Sequence, residues 1–160
     1  MFNVGDKVVY PMHGAGIIEE IEEKIVLGEA RKYYVLRIPI GDMKVMVPLD
    51  NIEGVGIRNI IDDIEVKSVF DLLRQGPSSM PENWNRRYRD NMDKLKSGDV
   101  YEVATVVRNL MIADNNKGLS TGEKKMLSNA KQILTSELVL AKNLDEKNII
   151  DMVDDAVLCD

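Results

Sequence analysis

The spacing of apolar residues changes near residue 62, and this change restricts the chain to a fold with two different parts. Before that point, apolar side chains alternate with polar ones or form short β-branched runs that Gly and Pro interrupt, which is typical of β-strands. After it, they recur every three or four residues, which is typical of amphipathic helices. We therefore predict an α+β chain, with a small β domain over residues 1–62 and an all-α helical domain over residues 63–160.

The N-terminal part contains five short runs with strand character, separated by turn residues. In the clearest of them, Tyr34, Leu36 and Ile38 alternate along one face. Strands this short and tightly connected favour a small, strongly bent sheet or barrel. The five runs are residues 6–10, 17–21, 32–38, 43–48 and 52–55, and residues 11–16 are expected to form a turn.

The C-terminal part has the pattern of consecutive helices with recognisable ends. The first helix begins near residue 64 and stops at Gly76-Pro77. Pro81 suits the first turn of the next helix, which contains Trp84, and Asp99 can cap the third. Residues 120–123 and 143–146 carry the capping signals of two further helices. The short loops between these helices imply a compact bundle.

Composition argues against catalysis, metal binding and membrane insertion. Hydrophobic residues make up 44% of the chain, but no run approaches the roughly 18 apolar residues of a membrane span. One cysteine, Cys159, and one histidine, His13, cannot form a zinc cluster or an internal disulfide. Gly14-Ala15-Gly16 lacks the third Gly of a dinucleotide loop, and His13, beside Gly in a turn, is read as structural. We expect no enzyme activity, no cofactor, no secretion signal and a reducing cytoplasm.

Charge is distributed unevenly along the chain. The net charge of −6 alone argues against a nucleic-acid partner. However, residues 81–131 hold 10 basic and 7 acidic groups, whereas residues 132–160 hold 2 and 7. Five of the cations, Arg86, Arg87, Arg89, Lys94 and Lys96, lie within eleven positions. If any part of the chain meets a polyanion, it is this one, although solvated helical surfaces carry similar charges.

The only tryptophan, Trp84, follows a Pro and precedes three arginines. On a helical wheel it shares an arc with Tyr88, Met92 and Leu95, so one interpretation makes it a core residue. Its place near the helix start leaves a second interpretation, in which the indole projects and stacks on an unpaired base or wedges into a distorted base step. The pattern alone does not choose between them.

Several motifs, in order along nearly the whole chain, resemble the CarD/CdnL family of bacterial transcription regulators. They are Val4-Gly5-Asp6-Lys7-Val8-Val9-Tyr10-Pro11 with His13-Gly14, Val47-Pro48, Asn83-Trp84 with Arg86-Arg87-Tyr88, Gly98-Asp99-Val100, residues 106–110, and Leu119-Ser120 with Gly122-Glu123-Lys124 and Met126-Leu127. The match weakens only after about residue 143. The resemblance implies a Tudor-like or SH3-like N-terminal domain that binds the β subunit of RNA polymerase, and a helical domain that contacts promoter DNA at the upstream fork of the transcription bubble.

The resemblance also implies functional residues. The tryptophan that matches Trp84 wedges into the minor groove and slows bubble collapse, with basic residues at the DNA surface. The resemblance implies Arg86, Arg87 and Lys125 beside Trp84, and the DNA-binding set expected here adds Arg89, Lys94 and Lys124. Two arginines that relatives use against polymerase are replaced here by Lys24 and Met46. The strand at residues 43–48 is expected to offer an open edge, so the polymerase-binding set is Lys24, Lys44, Val45, Met46 and Val47.

We therefore expect a monomeric, cytoplasmic, nucleoid-associated transcription regulator that bridges polymerase and promoter DNA and stabilises the open complex, without a cofactor. The alternative is a protein-interaction adaptor with no direct DNA contact, in which Trp84 belongs to the core.

Overall fold

The computed structural model describes residues 2–159 and begins with a five-stranded antiparallel sheet. The strands are β1 (Lys7–Tyr10), β2 (Gly14–Val26), β3 (Glu29–Ile38), β4 (Met43–Pro48) and β5 (Arg58–Asn59). Their order in the sheet is β4-β3-β2-β1-β5. A four-strand meander whose fifth strand returns beside the first is the arrangement of Tudor-like and SH3-like domains. The predicted fold class is therefore confirmed.

Six α-helices and one short 3-10 helix, Leu49–Asn51, accompany the sheet within residues 2–159. The α-helices are α1 (Ile52–Val55), α2 (Asp63–Leu73), α3 (Trp84–Lys96), α4 (Val100–Asn116), α5 (Thr121–Lys142) and α6 (Glu146–Leu158). The side chains of Asp99, Ser120 and Asp145 each accept a hydrogen bond from a backbone N–H in the first turn that follows. Among the described residues, no helix has both the length and the apolar content needed to cross a membrane.

Three local predictions were wrong. Residues 52–55, predicted as the fifth strand, form helix α1, which ends at Gly56 in the left-handed region (φ 76°), and β5 lies further along the chain. The predicted turn at residues 11–16 is shorter, because β2 already begins at Gly14. A side chain at Gly16 would stand 2.3 Å from the carbonyl oxygen of Arg37, so only glycine allows these strands to pair this closely. Finally, Pro81 precedes α3 rather than opening it, since Asn83 is the N-cap.

The sheet domain and the helical domain are joined by buried polar contacts. Ser136 Oγ on α5 accepts a hydrogen bond from the backbone N–H of Ala15 at 2.8 Å. Arg58 on β5 donates two hydrogen bonds to the nearly buried carboxylate of Glu137, at 2.7 and 2.8 Å. Glu137 also accepts from the backbone N–H of Ile61 at 3.0 Å. Helix α5 therefore docks directly on the sheet.

The outer half of the β2–β3 hairpin extends beyond the domain core. Ile25 is 78% exposed and Leu27, at the turn, is 99% exposed. The core of this domain instead lies nearer the other ends of the strands, around Ile18, Leu36 and Ile38. The hairpin thus projects as a two-stranded arm, and β4 forms one open edge of the sheet.

Candidate functional site

Trp84 is the first residue of α3 and stands at the surface. Its side chain is 41% exposed and lies outside the buried cluster of the helical domain, so it is not a core residue. The indole stacks on Tyr88, with ring centroids 5.1 Å apart and planes 20° from parallel. A side-chain carbon at Gly122 would lie 3.4 Å from the indole, so α5 also approaches closely.

The segment that leads into α3 is anchored to α4. Ser78 donates its backbone N–H to Asn109 Oδ1 at 3.1 Å, and its hydroxyl accepts from Asn109 Nδ2 at 2.8 Å and from Arg108 Nη2 at 3.1 Å. Arg108 is nearly buried, and this burial lowers its pKa. These contacts fix where α3 begins and therefore where Trp84 is presented.

A hydrogen-bonded network connects Trp84 with α5. The indole N–H donates to Ser120 Oγ at 3.0 Å, and the Ser120 hydroxyl donates to Glu123 Oε1 at 3.1 Å. Arg87 donates to both oxygens of Glu123, at 2.8 and 3.1 Å. These hydrogen bonds lower the pKa of Glu123 and raise that of Arg87, so the pair is ionised. The network brings the N-terminal ends of α3 and α5 together.

The helices that meet at this junction carry free cations in their first two turns. Arg86 and Arg89 on α3, and Lys124 and Lys125 on α5, are all exposed. None of the four forms an ion pair with a carboxylate of residues 2–159. The N-terminal ends of α3 and α5, where the helix dipoles are positive, lie close together, and α3 has no acidic residue in its first turn, whereas α5 has Glu123 there. An aromatic face beside unpaired cations can stack on a base while binding phosphates.

Two members of the expected DNA-binding set are placed differently from the rest. Arg87 is engaged internally, because its remaining Nη1 group donates to the carbonyl oxygens of Pro81 and Glu82 at 3.2 and 3.0 Å. Its guanidinium is thus occupied by protein acceptors rather than free for a phosphate. Lys94 lies near the other end of α3 and is half-buried.

The expected polymerase-binding residues divide between the two faces of the sheet. Residues paired directly across antiparallel strands share a face, so the register places Lys24, Lys44 and Met46 on one face, together with Arg31, Val35 and Arg37. The side chains of Val45 and Val47 point to the opposite face, and that of Val47 is 1% exposed. Val47 as a whole residue is only 1% exposed, so its side chain is not available to a partner. Lys44 pairs with Glu19 at 3.3 Å.

Sequence reasoning missed the side-chain partners within the site. The spacing of Ser120 and Glu123 predicted a capping box, but their roles as acceptors for Trp84 and Arg87 are long-range contacts that no local pattern reveals. No group of three or more His, Cys, Asp or Glu suited to a metal occurs within residues 2–159.

Together, a sheet docked on a helical region and an exposed tryptophan on a helix with unpaired cations make the junction of α3 and α5 a candidate nucleic-acid interface. Residues 2–61 match the model of the CarD-like/TRCF RID domain, and residues 68–154 match that of the CarD C-terminal domain. The chain therefore belongs to the CarD family of transcription factors, and the resemblance noted in the sequence is confirmed. This is not a known enzyme family.

One relative supports this assignment. A protein of Bacillus subtilis (strain 168), YdeB, described as a candidate transcription factor, is 46% identical over 149 residues, which cover 93% of this chain and 97% of that protein. Among solved structures, the solution NMR structure of the 72-residue N-terminal domain of Myxococcus xanthus CarD is 32% identical. The match covers 37% of this chain and 79% of that one, with a TM-score of 0.33.

Proposed function

We propose that this protein bridges bacterial RNA polymerase and promoter DNA. In this proposal the sheet domain binds the polymerase β subunit, and the junction of α3 and α5 contacts the upstream fork of the transcription bubble. The observation that carries it is the half-exposed Trp84, fixed where α3 meets α5, two helices that carry the unpaired cations Arg86, Arg89, Lys124 and Lys125. The protein acts as a monomer at the nucleoid.

The DNA contact combines stacking with charge neutralisation. Trp84 stacks on an exposed base or enters the distorted step next to the fork. The exposed cations bind the flanking phosphates and release counterions. Lys94 contributes only at the margin, since it lies at the far end of α3. Arg87 takes no phosphate in this proposal, because Glu123 and two carbonyl oxygens occupy it.

The polymerase contact uses the open edge of β4 and the sheet face that carries Lys24, Lys44 and Met46. A partner strand paired with this edge gains affinity mainly from main-chain hydrogen bonds. Such bonds tolerate a change of side chain, so Met46 can stand in place of a charged residue. Lys24 and Lys44 add electrostatic attraction to an acidic partner surface.

Stabilisation of the open complex follows from differential binding. A protein that touches both polymerase and the fork makes its full set of contacts only when the DNA is melted. Its binding therefore lowers the free energy of the melted state, and about 1.4 kcal/mol shifts the melting equilibrium tenfold.

The test is the lifetime of open complexes on a ribosomal RNA promoter after a competitor challenge. The intact protein should lengthen it, and Trp84→Ala should shorten it about fivefold or more relative to the parent, because base stacking is worth about 1–3 kcal/mol. Ile64→Ala removes an exposed apolar side chain on α2 and serves as the matched control. An unchanged lifetime with Trp84→Ala, while polymerase binding is retained, would favour the adaptor alternative.

A further inference from the structure

The Ser120 hydroxyl, which accepts a hydrogen bond from the indole N–H of Trp84, makes every hydrogen bond that a hydroxyl can make. The Ser120 hydroxyl accepts from Trp84 Nε1 at 3.0 Å and from the backbone N–H of Glu123 at 3.2 Å. Both of those groups can only donate, so the hydroxyl proton must point to Glu123 Oε1, 3.1 Å away. The hydroxyl thus uses two lone pairs and its one proton, and its orientation is fixed.

The carboxylate that orients this hydroxyl is itself held. Glu123 is 3% exposed, and Arg87 donates to both of its oxygens. The third nitrogen of Arg87 donates to the carbonyl oxygens of Pro81 and Glu82, which lie just before α3. Arg87 therefore ties the chain entering α3 to the first turn of α5. The donor and the acceptor of the Trp84–Ser120 hydrogen bond are therefore both held in place, at the starts of α3 and α5.

Packing restricts the ring further. Tyr88 stacks on the indole with a centroid separation of 5.1 Å. Gly122 supplies the close surface of α5: a Cβ at this position would lie 3.4 Å from the indole, in van der Waals contact with it. Rotation of the ring would break the hydrogen bond and the stacking together.

The geometry points to Ser120, Glu123 and Arg87 as positioning residues, which hold the Trp84 indole in one orientation before DNA arrives. This inference rests on the proposed contact of Trp84 with the fork. A side chain ordered in the free protein loses little conformational entropy on binding, so a fixed indole binds the fork more tightly than a mobile one. Glu123 and Arg87 act through Ser120 and need not touch DNA.

The decisive variant is Ser120→Gly in the full-length protein. It removes the hydroxyl, while glycine remains an acceptable N-cap for α5. Ser120→Thr restores a hydroxyl at the same position and serves as the rescue. Ser128→Gly is the matched control, because Ser128 is exposed on the same helix and a mid-helix glycine destabilises α5 without reaching Trp84.

The first measurement uses the free protein, in which Trp84 is the only tryptophan. Its fluorescence anisotropy should decay with overall tumbling in the parent, in Ser120→Thr and in Ser128→Gly. Ser120→Gly should add a fast component from local motion of the indole. A Ser120→Gly decay that equals the parent's would overturn the inference, whatever DNA does.

The second measurement is the open-complex lifetime. Ser120→Gly should shorten it roughly 2- to 10-fold, the range set by re-ordering one side chain, and less than Trp84→Ala does. The inference fails if Trp84→Ala shortens the lifetime but Ser120→Gly, with a mobile indole, does not. That result would mean that the orientation of the indole is irrelevant to DNA binding. No effect of Trp84→Ala would defeat the proposed function instead, and the anisotropy would then decide the positioning inference alone.

Discussion

Two regions of this molecule expose apolar side chains in contrasting ways. At the outer end of the β2–β3 hairpin, the side chains of Ile25 and Leu27 are exposed over most of their surface. At the start of α3, Trp84 is exposed as well, but a stacked tyrosine and a chain of hydrogen bonds to the buried Glu123 hold it. The hairpin tip lacks such contacts, whereas they hold the Trp84 ring in place.

The two proposed contacts use two kinds of recognition. A sheet edge recognises a partner through main-chain hydrogen bonds, which repeat along the strand and make few demands on individual side chains. A wedge at a DNA fork depends on one ring in one place, so its supports must be rigid. Helix α5 connects the two, because Ser120 lies at its start, and Ser136 and Glu137 in its second half contact the sheet domain.

The largest expected effect concerns stability. Arg87→Ala should lower the free energy of unfolding by about 2–4 kcal/mol, because it leaves Glu123 as an unpaired buried carboxylate. Leu27→Ala, at the hairpin tip, should change it by less than about 0.5 kcal/mol. Urea unfolding followed by circular dichroism measures both. Equal effects of the two substitutions would abolish the contrast between the two regions.

Acid provides a control for this first prediction. Hydrogen bonds from Arg87 lower the pKa of Glu123, and a carboxyl of this kind contributes stability above its unfolded pKa of about 4.3. That contribution is lost as the pH falls through the lower, folded value. The stability gap between the parent and Arg87→Ala should therefore be largest near neutral pH and shrink in acid. A gap that stays constant down to about pH 3 would point to lost packing rather than a lost ion pair.

Local patterns and long-range contacts were not equally predictable. The caps Asp99 and Ser120 were read from the sequence because each hydrogen bond spans only two or three residues. The Arg58–Glu137 pair joins residues 79 positions apart, and the Trp84–Ser120 bond spans 36, so neither leaves a periodic signal. Residues 52–55 were misread because a four-residue run is too short to show any period.

The site shows the same division. The clustering of Arg86, Arg87 and Arg89 was visible in the sequence, but not that Arg87 has a different partner from its neighbours. Which cations are free depends on where α5 lies against α3, and that is decided by tertiary packing.

A smaller effect is expected at the polymerase-binding end. Reversing both Lys24 and Lys44 to Glu should weaken the affinity of the full-length protein for polymerase about tenfold, through the loss of electrostatic complementarity. Met46→Ala should weaken it only about two- to threefold, because main-chain bonding is retained. Lys67→Glu with Lys147→Glu alters the net charge equally at exposed sites on α2 and α6. If this control pair weakens binding as much as the first, the face of Lys24 and Lys44 is not the interface.

The smallest effect is a change in salt dependence, and it distinguishes the free cations from the engaged one. Binding to fork DNA should be no tighter than about micromolar, with a slope of log K against log salt of about −4 to −5 for four to six phosphate contacts. Arg86→Ala or Lys125→Ala should flatten that slope by about one unit, since each removes one phosphate contact. Replacing the buried pair together, as Arg87→Met with Glu123→Leu, removes an arginine from the same turn of α3 but should leave the slope unchanged, because that guanidinium neutralises Glu123 rather than a phosphate. Fluorescence titrations between about 50 and 200 mM salt measure all three. If the double variant flattens the slope equally, Arg87 exchanges Glu123 for a phosphate when DNA binds. The Arg87–Glu123 pair would then be part of the DNA contact itself.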